Sequence, residues 1–104
     1  MLRGKKLGLL LSTAPAHSSF QYGLSLAETA IKQGVQVYLY CIDDAVLGLD
    51  HPKLQALKAE GLILYACAYG AQRRNIPLSD VATFAGLGTV SDLIAGTDRF
   101  LSFN

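Results

Sequence analysis

Short apolar runs alternate with helical patterns along the chain. Residues 6–12 form a continuous apolar run, which is typical of a strand buried on both faces of a parallel sheet. The next segment predicts a helix over residues 19–33, which Gly34 ends as the first residue beyond it. The apolar residues at helical spacing in this segment are Phe20, Leu24, Ala27 and Ile31.

The same alternation continues to the C-terminus. Four more strands are predicted, over residues 35–41, 62–66, 83–85 and 99–103. The intervening helices are predicted from about Asp50 and Pro52 to Gly61, from about Cys67 to Asn75, and over residues 91–95. Alternation at this spacing predicts an α/β protein, a three-layer α/β/α sandwich with a mostly parallel sheet of about five strands. With 104 residues, the chain is expected to form a single domain, residues 1–104.

Composition narrows the classes of function. The chain is 51% hydrophobic and 16% charged, with a formal net charge of +1, so we expect neither disorder nor binding to nucleic acid. No apolar run approaches the about 18 residues of a membrane span, and we expect no membrane partner. The high apolar content of so short a chain leaves apolar surface that oligomers commonly cover, which predicts a homo-oligomer.

The N-terminus resembles a secretory signal, because Arg3, Lys5 and Lys6 precede a Leu-rich run. The apolar core, residues 7–11, is shorter than the about 7 to 15 residues of such signals, so we expect a cytoplasmic protein. In that compartment Cys41 and Cys67 are not expected to form a disulfide, and two thiols without suitably spaced histidines predict no metal site.

Chemistry in such folds gathers at the carboxyl ends of the strands. We expect the first and third strands to be neighbours, which would bring the residues that follow them together. Ser18 or Ser19 is expected to cap the first helix. The polar and thiol residues at this edge are Ser12, Thr13, His17, Ser18, Ser19, Cys41, Asp43, Asp44 and Cys67.

Cys67 is the strongest candidate, because it directly follows an apolar strand and opens a segment that ends in Arg73 and Arg74. A thiol at a strand-to-helix junction with cationic neighbours favours the thiolate. The alternative is that Cys67 is a small buried hydrophobic residue. Cys41 is predicted to pack in the core, although the two thiols could also act as attacking and resolving partners. His17 is either a base or hydrogen-bond donor near Cys67 or a solvated loop residue.

The spacing from Cys67 to Arg73 matches the Cys-x5-Arg loop of cysteine phosphatases. In that reading the thiolate accepts a phosphoryl group and Arg73 clamps the phosphate oxygens. Only Gly70 supplies backbone freedom, however, and Arg74 stands where that family has a hydroxyl residue.

Several segments together resemble the DsrE family of DsrE/TusD-like sulfur-relay proteins. These segments are Ser12-Thr13-Ala14-Pro15, residues 25–30 leading to Gly34-Val35-Gln36-Val37, Tyr65-Ala66-Cys67-Ala68-Tyr69, Arg74-Asn75-Ile76, Asp92-Leu93-Ile94 and residues 98–103. The resemblance implies a sulfur carrier whose cysteine, Cys67 here, holds a persulfide and exchanges sulfur with partner proteins in homo- or hetero-oligomers. Residues 42–46 depart from it, because many members have a Gly-Asp-Gly-Val-like turn at this place.

The leading hypothesis is therefore a cytoplasmic sulfur-transfer protein that uses Cys67 and needs neither a metal nor an organic cofactor. Its expected partners are a protein sulfur donor and a protein acceptor. Tyr69 and His17 are predicted to line the approach to the sulfur, with Arg73 and Cys41 as further candidate site residues. The alternatives are the cysteine phosphatase and a non-catalytic oligomeric interaction domain in which Cys67 is buried.

Overall fold

A single sheet of five parallel strands organises residues 2–104, the part of the chain that the computed structural model describes. The strands are β1 (Lys6–Leu11), β2 (Gln36–Cys41), β3 (Ile63–Cys67), β4 (Thr83–Ala85) and β5 (Arg99–Phe103). The helices are α1 (Ser18–Lys32), α2 (Pro52–Ala59), α3 (Ala68–Arg73) and α4 (Gly88–Gly96), and a 3-10 helix spans Asp43–Gly48. The predicted α/β sandwich is thus confirmed.

The strand order is β4-β3-β2-β1-β5, so β2 lies between β1 and β3. In register, Leu39 of β2 stands beside Leu9 on one side and Leu64 on the other. The expectation that the first and third strands are neighbours was wrong. Strands that follow each other in the chain usually pair, and here β1 to β4 lie side by side in chain order, whereas the connection through α4 carries the chain across the sheet to place β5 beside β1.

The two faces of the sheet carry separate apolar clusters, because successive side chains of a strand point to opposite faces. One cluster joins Leu9, Leu39 and Leu64 to buried residues of α1 and α2, such as Phe20 and Leu54. The other cluster contains Tyr40, Cys67 and Leu93, and the partly buried residues that pack on it are Leu10, Tyr38, Ile42, Tyr65, Val90 and Phe100. Helices therefore cover both faces, with α1 and α2 on one and α4 on the other.

Three helices end in the same hydrogen-bonded turn. After α1, the N–H of Gly34 donates to Ile31 O and that of Val35 donates to Ala30 O, the pattern of a Schellman motif. This turn needs a left-handed residue, and Gly34 has φ +82°. The ends of α2 and α3 repeat it with Gly61 and Asn75 in the left-handed position. The predicted stops at Gly34 and Gly61 are confirmed.

Histidines cap the N-termini of α1 and α2. For α1, a serine cap was expected. The Nδ1 atom of His17 accepts a hydrogen bond from Ser19 N at 3.0 Å, and that of His51 accepts one from Lys53 N at 3.1 Å. The prediction of Ser18 or Ser19 as the cap of α1 was wrong, because the helix begins at Ser18 and its cap is the preceding residue. The Ser19 hydroxyl instead donates to Asn104 O at the C-terminus.

None of the helices within residues 2–104 combines the length and the apolar content that crossing a lipid bilayer requires.

The packing of α1 on β1 predicts that Gly23→Ala is destabilising. A Cβ atom on Gly23 would overlap Cδ2 of Leu11, which is completely buried, so the Leu11 side chain would have to shift within the core. Overpacking of this kind costs about 1–3 kcal/mol and outweighs the gain of about 1 kcal/mol from replacing a helical glycine. We expect a net loss of about 1 kcal/mol in the free energy of unfolding, measured by urea denaturation.

Gly88→Ala at the start of α4 is the matched control, because no atom lies within 4 Å of its added Cβ. Equal stability of the two variants would contradict the tight packing of α1 on β1.

Candidate functional site

Cys67 is the last residue of β3 and the cap of α3. Its Sγ accepts a hydrogen bond from the backbone N–H of Gly70 at 3.3 Å, and the residue is 6% exposed. Because α3 has only six residues, its dipole is small, and this N–H is the main polar contact that the helix gives the sulfur. The predicted place of the thiol at a strand-to-helix junction is therefore confirmed.

A surface pocket of about 440 Å³ opens beside this sulfur. We call it the Cys67 pocket, and it lies at the carboxyl end of the sheet, between the segments that follow β2, β3 and β4. It is lined by Ile42, Asp43, Cys67, Tyr69, Gly70, Arg73, Arg74, Gly86 and Leu87. Cys67 thus lines an open pocket, although most of the residue is buried.

Tyr69 and Arg73 form one side of the pocket. The guanidinium carbon of Arg73 lies 5.7 Å from the centroid of the Tyr69 ring, and Nη1 of Arg73 donates to the Tyr69 hydroxyl at 3.0 Å. Tyr69 is 65% exposed, so this pair stands at the rim in contact with solvent. The stacked arrangement keeps a positive charge at the pocket entrance.

Arg74 ties α3 to the 3-10 helix. Its Nε and Nη2 donate to Oδ1 of Asp44 at 3.2 and 3.0 Å, and its Nη1 donates to Gly70 O at 3.2 Å. The neighbouring Asp43 has φ +53°, a left-handed conformation that aspartate tolerates better than most residues. It belongs to the turn at residues 42–46 that departs from the glycine-rich family pattern, so an aspartate here adopts backbone geometry that favours glycine.

Tyr40 is a residue of this site that sequence analysis missed. It is completely buried in the cluster that contains Cys67, and its hydroxyl donates to Ala85 O at 3.0 Å. Burial first, and then the charge and hydrogen bonding of Cys67, raise the pKa of the Tyr40 phenol well above its usual value. The signal was present in the alternation of β2, since Tyr38 and Tyr40 share one face of that strand.

Cys41 lies in the apolar cluster on the opposite face of the sheet from Cys67. It is completely buried, and burial raises the pKa of its thiol to about 12. The sheet itself separates the two sulfur atoms. A direct exchange between them as attacking and resolving thiols would require the surrounding chain to rearrange.

His17 lies directly before α1 in the loop that follows β1, and β1 is two strands away from β3 in the sheet order. Its Nδ1 is used in capping α1, and it does not belong to the lining of the Cys67 pocket. Of the residues predicted to surround the sulfur, Tyr69 and Arg73 line the same pocket as Cys67, whereas His17 and Cys41 do not. Their proposed roles in binding remain predictions.

Within residues 2–104, no three His, Cys, Asp or Glu side chains come together as a potential metal site.

The conformation of residues 68–73 does not suit the phosphatase hypothesis. A phosphate loop turns several backbone N–H groups toward one anion, but this segment is the helix α3 and only the Gly70 N–H donates to the sulfur. Arg73 turns toward Tyr69. The Cys-x5-Arg spacing is therefore part of a helix and its cap.

A five-stranded parallel sheet with a cysteine at the carboxyl end of β3 defines a class of α/β proteins, and comparison with known proteins specifies the family. The sequence pattern of the DsrE/DsrF-like family matches residues 5–103, so the chain belongs to this family. The fold is similar to the crystal structure of the YchN protein from E. coli, with a TM-score of 0.81 and 21% sequence identity. That similarity covers 95% of this chain and 99% of YchN. No curated protein matches the chain.

The different surroundings of the two thiols predict selective alkylation. In the native protein at neutral pH, iodoacetamide is expected to modify Cys67 and to leave Cys41 unmodified, because Cys41 is buried with a raised pKa. Peptide mass mapping measures the two sites separately. The control is protein unfolded in urea, in which both thiols are expected to react at similar rates. Native modification of Cys41 at the rate of Cys67 would contradict this description of the site.

Proposed function

We propose that the protein is a cytoplasmic sulfur-transfer protein, a carrier that accepts sulfane sulfur on Cys67 as a persulfide and hands it to an acceptor. The observation that carries the proposal is that Cys67 lines an open pocket while its sulfur accepts the Gly70 N–H. Membership of the DsrE/DsrF-like family supports it, since the sequence resemblance to that family implies this chemistry.

The chemistry is a displacement at sulfur that balances without an external oxidant. The Cys67 thiolate attacks the outer sulfur of a donor persulfide, R–S–SH, a new S–S bond forms on Cys67, and the bond to the donor breaks. The donor leaves as the thiolate R–S⁻. Transfer to an acceptor thiolate repeats the same exchange in the other direction, and no metal or organic cofactor takes part in it.

The pocket supplies two of the requirements of this exchange. The Gly70 N–H donates to the sulfur, and a hydrogen bond to an anionic acceptor is stronger than one to a neutral acceptor. The guanidinium group of Arg73 adds positive charge at the pocket rim, which favours anionic donors and leaving groups, whereas that of Arg74 is paired with Asp44. Both features favour the charged states of the reaction.

The rim of the pocket supports a protein as the exchange partner. Tyr69 and Leu87 both line the pocket and are 65% and 61% exposed. Exposed aromatic and aliphatic side chains around a reactive group form a surface that another protein can cover, and a partner's cysteine would then reach Cys67 from the pocket side.

We further propose that the chain forms a homo-oligomer or assembles with a different subunit. Large apolar side chains remain exposed on several elements, and association would remove them from water. They are Leu2, Tyr22, Leu47, Ile63, Tyr69, Leu78, Leu87, Ile94 and Leu101.

Persulfide formation at Cys67 gives a direct test. Native protein incubated with thiosulfate or a small-molecule persulfide is expected to gain about 32 Da, the mass of one sulfur atom, and dithiothreitol is expected to remove it. Intact-protein mass spectrometry measures the gain. Cys67→Ser should abolish it and Cys41→Ser should retain it. A gain that survives Cys67→Ser would move the site to Cys41, and a Cys67 that resists both sulfur loading and alkylation would favour a non-catalytic interaction domain.

The charge of Arg73 predicts a dependence on the donor. Thiosulfate is an anion, and its reaction with the Cys67 thiolate releases sulfite, so Arg73→Gln is expected to slow sulfur loading about threefold to fivefold, as befits a partly screened charge. The rate with iodoacetamide, which is neutral, should change much less. Arg3→Gln is the control, because it removes the same charge near Gly34 and outside the pocket lining. Equal loading rates in the two variants would exclude Arg73 from donor binding.

A further inference from the structure

We propose that Tyr40 is the buried hydrogen-bond donor for the charged sulfur of Cys67, and that its hydroxyl turns from Ala85 O to this sulfur when the sulfur becomes a thiolate or a persulfide anion. The proposal deepens the proposed function and rests on it, because it names a residue that stabilises the anionic states of the same site.

The position of the Tyr40 ring follows from the sheet. Tyr40 belongs to β2, but its hydroxyl donates to Ala85 of β4, and β3 lies between these two strands. The ring must therefore cross one face of β3. In register, Tyr40 stands beside Tyr65 and Ala85 stands beside Cys67, so the hydroxyl ends next to the residue that is paired with Cys67.

Tyr40 and Cys67 are buried in the same part of the structure. Both belong to the same buried cluster, and the charge and hydrogen bonding of Cys67 contribute to the raised pKa of the Tyr40 phenol. A phenol with a raised pKa keeps its proton at neutral pH. Tyr40 therefore acts only as a donor and takes no proton from the thiol.

The hydroxyl has one proton and two possible acceptors. When Cys67 is a neutral thiol, the Ala85 carbonyl is the better acceptor, and the structure has this arrangement. A thiolate is a stronger acceptor than a carbonyl, because hydrogen bonds to ionised groups are about twice as strong. Rotation of the hydroxyl proton toward the sulfur leaves Ala85 O free to accept from water at the pocket edge, where the following residue, Gly86, is part of the lining.

Other titratable groups line the pocket with Cys67, and their charges also affect the stability of its thiolate. Asp43 opposes the thiolate and Arg73 favours it, whereas the charge of Arg74 is paired with Asp44. On the sheet side, Tyr38 and Tyr65 pack on the cluster but are only partly buried. Tyr40 differs from these groups because it is completely buried and reaches the strand position beside Cys67.

The test measures the ionisation of Cys67 without any reagent that must enter the pocket. The Cβ chemical shift of ¹³C-labelled cysteine is followed against pH in the full chain, and it reports Cys67 and Cys41 separately. In Tyr40→Phe the ring remains and only the hydroxyl is lost. We expect the ionisation constant of Cys67 to fall about tenfold, a rise of about one unit in its pKa, as the loss of one hydrogen bond to a charged group implies.

Tyr65→Phe is the matched control, because it removes a hydroxyl from the same cluster at a position that is only partly buried, and its titration curve should match that of the parent protein. If Tyr40→Phe also leaves the Cys67 titration unchanged, the proposal is wrong and Tyr40 only supports β4.

If Tyr40→Phe fails to fold, 3-fluorotyrosine incorporated in place of Tyr40 keeps both contacts and strengthens the donor. It should lower the pKa of Cys67, and an unchanged or raised value would overturn the proposal.

The test of Tyr40 and the test of the proposed function can fail independently of each other. Sulfur loading of the parent protein decides whether Cys67 carries a persulfide, whereas the Cys67 titration in the Tyr40 variants decides whether Tyr40 stabilises its anion. Loading with an unchanged titration would retain the sulfur carrier and reject Tyr40, and a shifted titration without loading would retain the hydrogen bond and reject the carrier.

Discussion

Alternation of side chains between the two faces of the sheet is the constraint on which the rest of this structure depends. Because helices cover both faces of the central strands, neighbouring positions in one strand enter different clusters. Cys41 enters the dry cluster under α1 and α2, where its thiol is held neutral by burial. Cys67 enters the smaller cluster on the other face and lines a surface pocket. The two cysteines thus differ in accessibility because their side chains point to opposite faces of the sheet.

The site is assembled from segments that follow three different strands, and not from one continuous motif. The turn after β2 brings Asp43 and Asp44, the junction of β3 and α3 brings Cys67 and Gly70, and the loop after β4 brings Gly86 and Leu87. The ion pair between Arg74 and Asp44 joins two of these segments. Parallel strands make this possible, since all of their carboxyl ends meet at one edge of the sheet.

The elements themselves were largely predictable. Apolar runs bounded by glycine located all five strands to within about one residue, and Gly34 and Gly61 ended their helices as expected. The cap of α1 was not predictable in the same way, because serine is the more common cap and the choice of His17 depends on where the helix starts. The strand order was mispredicted as well. Local periodicity carries no information on which strands pair, and that choice is made by packing across distant parts of the chain.

The sequence by itself determined the α/β class, the alternation of strands and helices, the place of Cys67 at the end of a strand and its resemblance to the DsrE family. These follow from local patterns, which are read over a few residues at a time. Only the tertiary structure decided which groups meet at the sulfur. It excluded His17 and Cys41 from the pocket lining, and it brought Tyr40 across β3 to the neighbourhood of Cys67. The physical reason is that contacts between strands depend on their order and register, which arise from long-range pairing of the whole sheet.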